Sequence, residues 1–178
     1  RSVSDYAQDR AAFLEWTRQL RRVQNSADVL NWNTDKHYLR ELAALGMPTI
    51  PTSWLEPEQN LSKHQIHTRF PAFGEFVVKP AVSSGVRDVG RYTTVDIRQR
   101  QAAMRQVQGL LGDGRSVMIQ RYVEEIDLHG EISLVFFNGL VSHAVEKRAA
   151  LHPASVTDPT VHEAVVTAEP ADSVAWKW

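Results

Sequence analysis

Apolar residues recur every three or four positions in three stretches of the chain. This spacing predicts amphipathic helices over residues 6–23, within residues 31–46 and over residues 97–112. The apolar stripes consist of Phe13, Trp16, Leu20 and Val23, of Tyr38, Leu39, Leu42 and Leu45, and of Ile97, Met104, Val107 and Leu111. Each stripe is expected to face a core.

Residues that favour helix ends flank two of these stretches. Asn33 or Thr34 is suited to cap the second helix, and Gly46 to end it. Asp96 is placed to cap the third helix. A shorter helix of two turns is predicted over residues 61–69.

Short apolar runs between the helices predict strands. These are residues 76–79, 91–95 and 116–123, and a proline-rich extended path precedes them at residues 47–57. Residues 131–148 alternate around Asn138 and Gly139, which predicts a β-hairpin with a type I′ turn. After Leu151 the pattern fades, and one short strand is expected at residues 162–167.

The composition is that of an ordinary globular protein. The 178 residues are 43% hydrophobic, and 20 lysines and arginines stand against 21 acidic residues. Such a balanced charge predicts no nucleic-acid or membrane partner, and we expect a cytoplasmic protein. Without cysteine, disulfides and thiolate metal sites are excluded. The chain starts at Arg1 without a methionine, which we interpret as a sign of a fragment.

Residues 76–90 combine a lysine with a loop of small residues. Lys79 ends a β-rich run, and Ser83, Ser84 and Gly85 follow. A lysine at a strand end is a compact positive charge, and a small-residue loop can bring backbone N–H groups onto phosphate oxygens. The stretch fits a polyphosphate site, and it also fits the solvated end of an ordinary strand.

Two further lysines stand in unusual positions. Lys36 falls in the first turn of a predicted helix, where a cation opposes the helix dipole. It is either placed for a ligand or a surface lysine. Lys147 shares a strand face with Val141, His143 and Val145, and either extends to the sheet edge or points into a cleft.

The order of these features resembles the ATP-grasp superfamily. The lysine strand, the small-residue loop, the strand ending IQRYVEE and the hairpin opening GEISLVFFNG follow in the order typical of that superfamily. The chain is most similar to carboxylate–amine ligases of the glutathione synthetase, ribosomal-protein glutamate ligase and cycloserine cyclo-ligase type. The resemblance covers most of residues 5–148.

The resemblance implies an α+β fold with two antiparallel-sheet lobes and ATP in the cleft between them. Residues 1–70 would form a helical linker and the start of the ATP-grasp region. Residues 71–123 would form the small lobe, and residues 124–178 the incomplete start of the second lobe.

The resemblance also implies three cations near the phosphates of ATP. Lys36 would be the first phosphate lysine and Lys79 the second, reaching the α and β phosphates. Lys147 would be a third cation. The mobile flap over the phosphates would consist of Ser83, Ser84 and Gly85.

The adenosine part of ATP would be held by a hinge and an acid. The hinge, Gln120 to Val123, would read the adenine edge through the backbone of Arg121 and Val123. Tyr122 would line the ring, and Glu131 would hold the ribose hydroxyls.

The implied activity is an ATP-dependent ligase that joins a small-molecule carboxylate to an amine through an acyl phosphate, with Mg²⁺ as a second cofactor. The superfamily's metal carboxylates have no counterpart after Arg148, where Glu163 and Glu169 are isolated acids in an irregular tail. We therefore assign no metal ligand and no catalytic residue, and expect this chain alone to be inactive. His64 and His67 could share a helix face but lack a nearby carboxylate. The alternative is a nucleotide-binding module without catalytic activity.

Overall fold

The computed structural model describes residues 6–147 and 149–151, together with the backbone of Val165–Pro170. The chain forms two compact units, residues 1–122 and residues 123–178. The division into three regions that the resemblance implied stays a prediction.

The first unit is built on a four-stranded antiparallel sheet with the order β1-β4-β2-β3. Its strands are β1 (Thr52–Leu55), β2 (Glu75–Pro80), β3 (Gly90–Thr93) and β4 (Val117–Arg121). Its helices are α1 (Arg10–Arg18), α2 (Ala27–Asn33), α3 (Tyr38–Ala44), α4 (Lys63–His67) and α5 (Ile97–Gly112). The strands confirm the predicted extended runs with small shifts at their ends.

The two faces of this sheet differ in what covers them. One face packs against α4 and α5 and forms the core, which consists of Leu55, Ile66, Phe70, Phe76, Val78, Ala103, Val107, Leu110, Val117 and Ile119. Because side chains alternate along a strand, Lys79 projects from the opposite face. On that face the strand register places Trp54, Met118 and Lys79 in one row across β1, β4 and β2.

Two predicted stripes are only partly correct. Helix α1 ends at Arg18, so Leu20 and Val23 lie beyond it and are exposed. In α5 the buried face is centred on Ala103, Val107 and Leu110, whereas Ile97 at its first turn is exposed. Asp96 caps α5 as predicted, and its carboxylate accepts from the Arg98 N–H.

The second predicted helix is confirmed as α3, from Tyr38 to Ala44, but it begins later than a cap at Asn33 or Thr34 would place it, and α2 before it was not predicted. Thr34 is instead the C-cap of α2, and its hydroxyl donates to Leu30 O at 2.7 Å. Arg10 Nε donates to the same hydroxyl at 3.0 Å. Lys36 consequently lies in the turn between α2 and α3, and its N–H donates to Ala81 O at 3.0 Å.

The second unit contains helix α6 (Glu125–His129) and an antiparallel sheet of β5 (Glu131–Phe137), β6 (Leu140–Lys147) and β7 (Val165–Pro170). The predicted hairpin is confirmed, with φ of 51° at Asn138 and 79° at Gly139, as a type I′ turn requires. Strand β7 lies later than the strand predicted at residues 162–167, of which residues 162–164 are outside the described part. Helix α6 was not predicted. Within the described residues, no helix has the length and apolarity to cross a membrane.

Candidate functional site

Lys36 lies against the loop that follows Lys79. Its ammonium group donates to Ser83 Oγ at 2.7 Å and to Ser83 O at 3.1 Å. Its backbone also bonds to Ala81, two residues after Lys79. The fold therefore brings together three of the predicted phosphate-binding residues, although Lys36 and Lys79 are 43 positions apart (79 − 36) in the sequence.

The environment of Lys36 disfavours its charged form. Burial lowers the pKa of Lys36 from 10.5 to about 8, the positive charge of Lys79 adds to this effect, and Asp35 opposes it. The three oxygens that the ammonium group contacts, on Ala81 and Ser83, are neutral. An anion bound between the two lysines would supply the counter-charge.

The small-residue loop is anchored near both ends. Ser83 is buried, and its carbonyl also accepts from the Tyr6 hydroxyl at 2.6 Å. At the far end Asp88 accepts from Arg115 at 2.8 Å. Gly85 between them is exposed and has a φ of +60°, where an L side chain is strained. The anchored ends leave Ser84 and Gly85 at the part of the loop with the fewest constraints.

The predicted hinge begins on the sheet face that carries Lys79. Gln120 lies opposite Val77 of β2 and is buried there, and its amide donates to Thr52 Oγ1 at 2.7 Å. The Tyr122 N–H donates to Glu75 O at 2.9 Å, which continues the backbone pairing beyond β4.

Two arginines are stacked beside the hinge. The guanidinium of Arg91 lies 3.6 Å from the centre of the Tyr122 ring, and Arg91 also pairs with Glu75. The side chain of Arg121 lies over Phe73 at 4.4 Å, so only its backbone is available for the predicted adenine contact. Arg91 thus fixes the ring that was predicted to line the adenine.

The predicted residues of the second unit lie at its beginning and on its hairpin. Val123 O accepts from the Ile126 N–H at 3.1 Å in the turn that leads into α6. Glu131 on β5 is paired directly with Lys147 on β6, and both side chains are exposed. The hairpin register thus places the predicted ribose acid beside the predicted third cation.

Several contacts of this region had no signal in the sequence. Tyr6, which bonds to Ser83, was assigned to the first helix, and Arg91 was assigned only to a strand. Their roles depend on the register of β3 with β2 and on the packing of the chain before α1. Neither can be read from periodicity.

The described residues contain no group of three or more histidines, cysteines and acids that could hold a metal ion. His67 Nε2 accepts from the Arg100 guanidinium at 2.9 Å. Glu169 lies on strand β7, paired with Ala144, so the expectation that it belongs to an irregular tail is wrong. Glu163 lies outside the described residues.

The pH dependence of stability tests the burial of Lys36. The folded chain releases the Lys36 proton near pH 8 and the unfolded chain near 10.5, so the unfolded state binds more protons between these values. Stability therefore rises with pH across that window. Lys36→Met is expected to remove this part of the rise, measured as the urea midpoint at several pH values. Lys63→Met, which removes an exposed lysine, should keep it. Identical pH profiles for Lys36→Met and the unchanged chain would contradict the burial.

Comparison with solved structures identifies the fold. D-alanine–D-alanine ligase from Helicobacter pylori matches with a TM-score of 0.53 and 15% identity, over 80% of this chain and 41% of that one. D-alanyl-alanine synthetase A from Vibrio cholerae matches with a TM-score of 0.54 and 16% identity, over 90% and 46%. At such identities the likeness concerns the fold alone. The fold is that of the ATP-grasp ligases.

A nearer relative is known. The cycloserine biosynthesis protein DcsG of Streptomyces lavendulae is 39% identical over 153 residues, which are 85% of this chain and 49% of the relative. The crystal structure of D-cycloserine synthetase DcsG matches with a TM-score of 0.73 and 36% identity, over 86% of this chain and 52% of that one. No protein-family model matches the chain.

These matches confirm the resemblance found in the sequence. The chain is related to the carboxylate–amine ligases of the ATP-grasp superfamily. It spans about half the length of the relatives that it matches.

Proposed function

We propose that this chain is the nucleotide-binding part of an ATP-dependent ligase that joins a small-molecule carboxylate to an amine. The observation that carries the proposal is the half-buried Lys36 beside Lys79 and the Ser83 loop, in a chain 39% identical to a cycloserine biosynthesis protein. Two neighbouring cations, one of them held against neutral oxygens, suit a polyphosphate ligand.

In the proposed reaction a carboxylate oxygen attacks the γ-phosphorus of ATP, and ADP leaves. The product is an acyl phosphate. The nitrogen of the amine then attacks the acyl carbon, phosphate leaves and an amide remains. Lys36, Lys79 and Lys147 neutralise negative charge on the phosphates, and the loop with Ser83, Ser84 and Gly85 excludes water from the acyl phosphate.

The nucleoside is held by the hinge and the hairpin. The backbone of Arg121 and Val123 reads the adenine edge, and Tyr122, held by Arg91, lines the ring. Glu131 accepts hydrogen bonds from the ribose hydroxyls. Gln120 keeps the start of the hinge in register through its bond to Thr52.

Magnesium would neutralise further phosphate charge in such a ligase. The described residues hold no group of three or more histidines, cysteines and acids, and we assign no ligand for this ion. We derive no step through it.

The proposal is tested by calorimetric titration of the chain with ADP and ATP. Saturable binding of both supports it, and a folded chain that binds neither nucleotide would overturn it. The alternative, a nucleotide-binding module without catalysis, predicts ADP binding but no phosphate release from ATP by the intact protein.

Glu131→Ala is expected to weaken ADP binding about three- to tenfold, since one or two hydrogen bonds to the ribose are lost. The unchanged chain should prefer ADP to 2′-deoxy-ADP, and the variant should lose that preference. Glu125→Ala, which removes an exposed acid of α6, is the matched control and should change neither value. Loss of affinity with the preference intact would exclude the ribose contact.

A further inference from the structure

The turn that carries Lys36 is tied to the sheet by the next residue. His37 Nδ1 lies 2.6 Å from Asp35 Oδ1, and its Nε2 lies 3.2 Å from Glu56 Oε1. The imidazole ring also stacks on Trp54, with centroids 4.6 Å apart and planes inclined by 25°. The two neighbours of Lys36 are thus bonded to each other, and His37 joins both to strand β1 and the residue after it.

Glu56 is a fixed anion at the end of β1. Burial acts to raise its pKa, but hydrogen bonds from Ser116, His37 and Arg40 outweigh burial and lower the pKa below its ordinary range. Arg40 Nη2 lies 2.6 Å from the same Oε1 atom. Because Glu56 follows directly on β1, which pairs with β4, this anion is held in the frame of the sheet.

The stacking partner of His37 also belongs to that frame. Trp54 is paired with Met118, and Met118 is paired with Lys79. The His37 ring therefore rests on the same row of residues that presents Lys79. A rigid connection of this kind fixes Lys36 relative to Lys79 through the sheet.

We propose that His37 is a positioning residue that aims the Lys36 ammonium at the phosphates of the nucleotide. The inference rests on the proposed function. When phosphate oxygens replace Ser83 as the partners of the ammonium, the side-chain contacts of Lys36 to the loop are lost. The turn is then held by the backbone bond to Ala81 and by the contacts of His37 with Glu56 and Trp54, which we call the His37 tie. The tie is needed because a cation displaced by about 1 Å loses much of its effect on a bound group.

Two substitutions separate the contacts of His37. The amide nitrogen of glutamine can take the place of Nε2 and reach Glu56, whereas that of asparagine can take the place of Nδ1 and reach only Asp35. If the tie to the sheet positions Lys36, His37→Gln should keep ADP affinity within about threefold, and His37→Asn should lower it about tenfold. Both are titrated with ADP and AMP, and their melting temperatures are measured.

The ratio of ADP to AMP affinity distinguishes positioning from a general loss of structure. The ratio should fall for His37→Asn and hold for His37→Gln. Glu56→Gln, which removes the anion and nearly keeps the shape, is the second variant and should also lower it. Glu41→Ala on α3 breaks a 2.7 Å bond from Trp32 of α2, lowers stability without touching the contacts of His37, and should leave the ratio unchanged.

Four outcomes would overturn the inference. Equal affinities in His37→Asn and His37→Gln would exclude the tie to Glu56, and a parallel loss for ADP and AMP would show a structural role only. If Lys36→Met weakens ADP binding and His37→Asn does not, this inference fails while the proposed function stands. If the unchanged chain binds no ADP, the proposed function fails, and the inference fails with it.

Discussion

Lys79→Met is expected to weaken ADP binding by about ten- to a hundredfold, and Lys36→Met by a similar factor. A charge-assisted hydrogen bond to a phosphate contributes about 1.5–3 kcal/mol, which corresponds to this range of affinity. Methionine keeps the apolar stem of each lysine, so the sheet and the turn should retain their packing. Calorimetric titration at constant pH and salt measures the effect.

The matched control is Lys63→Met, which removes an exposed lysine of helix α4 on the other side of the sheet. It should change ADP affinity less than twofold, because an exposed charge that does not touch the ligand is screened by salt. The double variant Lys36→Met/Lys79→Met should lose less than the product of the single losses, since both cations would act on the same phosphates. An unchanged ADP affinity in Lys79→Met would contradict the assignment of Lys79 as a phosphate-binding residue.

The strands and the hairpin could be predicted because their signals are local. The Asn138-Gly139 turn demands two residues with positive φ, and both are found there. The alternation of Phe76 and Val78 toward the core likewise follows from the two-residue period of a strand. The order of the strands in the sheet could not be predicted in this way. Strand β1 pairs with β4 across more than 60 residues, and no residue in either strand indicates which strand is its partner.

The start of the second predicted helix shows where the local signal misled. The stripe of Tyr38, Leu39, Leu42 and Leu45 has helical spacing, yet Leu45 is 78% exposed. Thr34 is the C-cap of α2, and its hydroxyl donates to Leu30 O and accepts from Arg10 Nε. The turn that carries the candidate phosphate lysine therefore lies between α2 and α3, where the sequence pattern predicted the first turn of one helix.

The candidate site could be predicted from the sequence only through its resemblance to the ATP-grasp superfamily. Periodicity left Lys36 and Lys147 with two interpretations each, and the superfamily pattern chose between them. The structure brings Lys36 to Ser83, while the fixing residues His37 and Arg91 appear only in three dimensions. Such residues act through other side chains, so no motif marks them.

ADP binding is expected to take up a proton on Lys36. In the free chain Lys36 has a pKa of about 8 because it is buried beside Lys79. A bound polyphosphate favours the charged form and raises this pKa, so ADP binding should take up about 0.5 proton at pH 8 and about 0.9 at pH 9. Titration in buffers of different ionisation enthalpy measures the uptake directly.

The linkage between proton uptake and ADP binding fixes the direction in which ADP affinity changes with pH. Since binding takes up protons, the logarithm of the ADP association constant should fall as pH rises through 8, with a slope equal to the uptake. Lys36→Met should remove the proton uptake that is measured at saturating ADP, and with it the dependence of the ADP association constant on pH. In Lys79→Met the positive neighbour is gone, so the pKa of Lys36 in the free chain rises and the uptake at pH 8 shrinks without vanishing. Uptake that persists in Lys36→Met would assign the titrating group elsewhere, whereas its loss there and its reduction in Lys79→Met would place both lysines at one phosphate site.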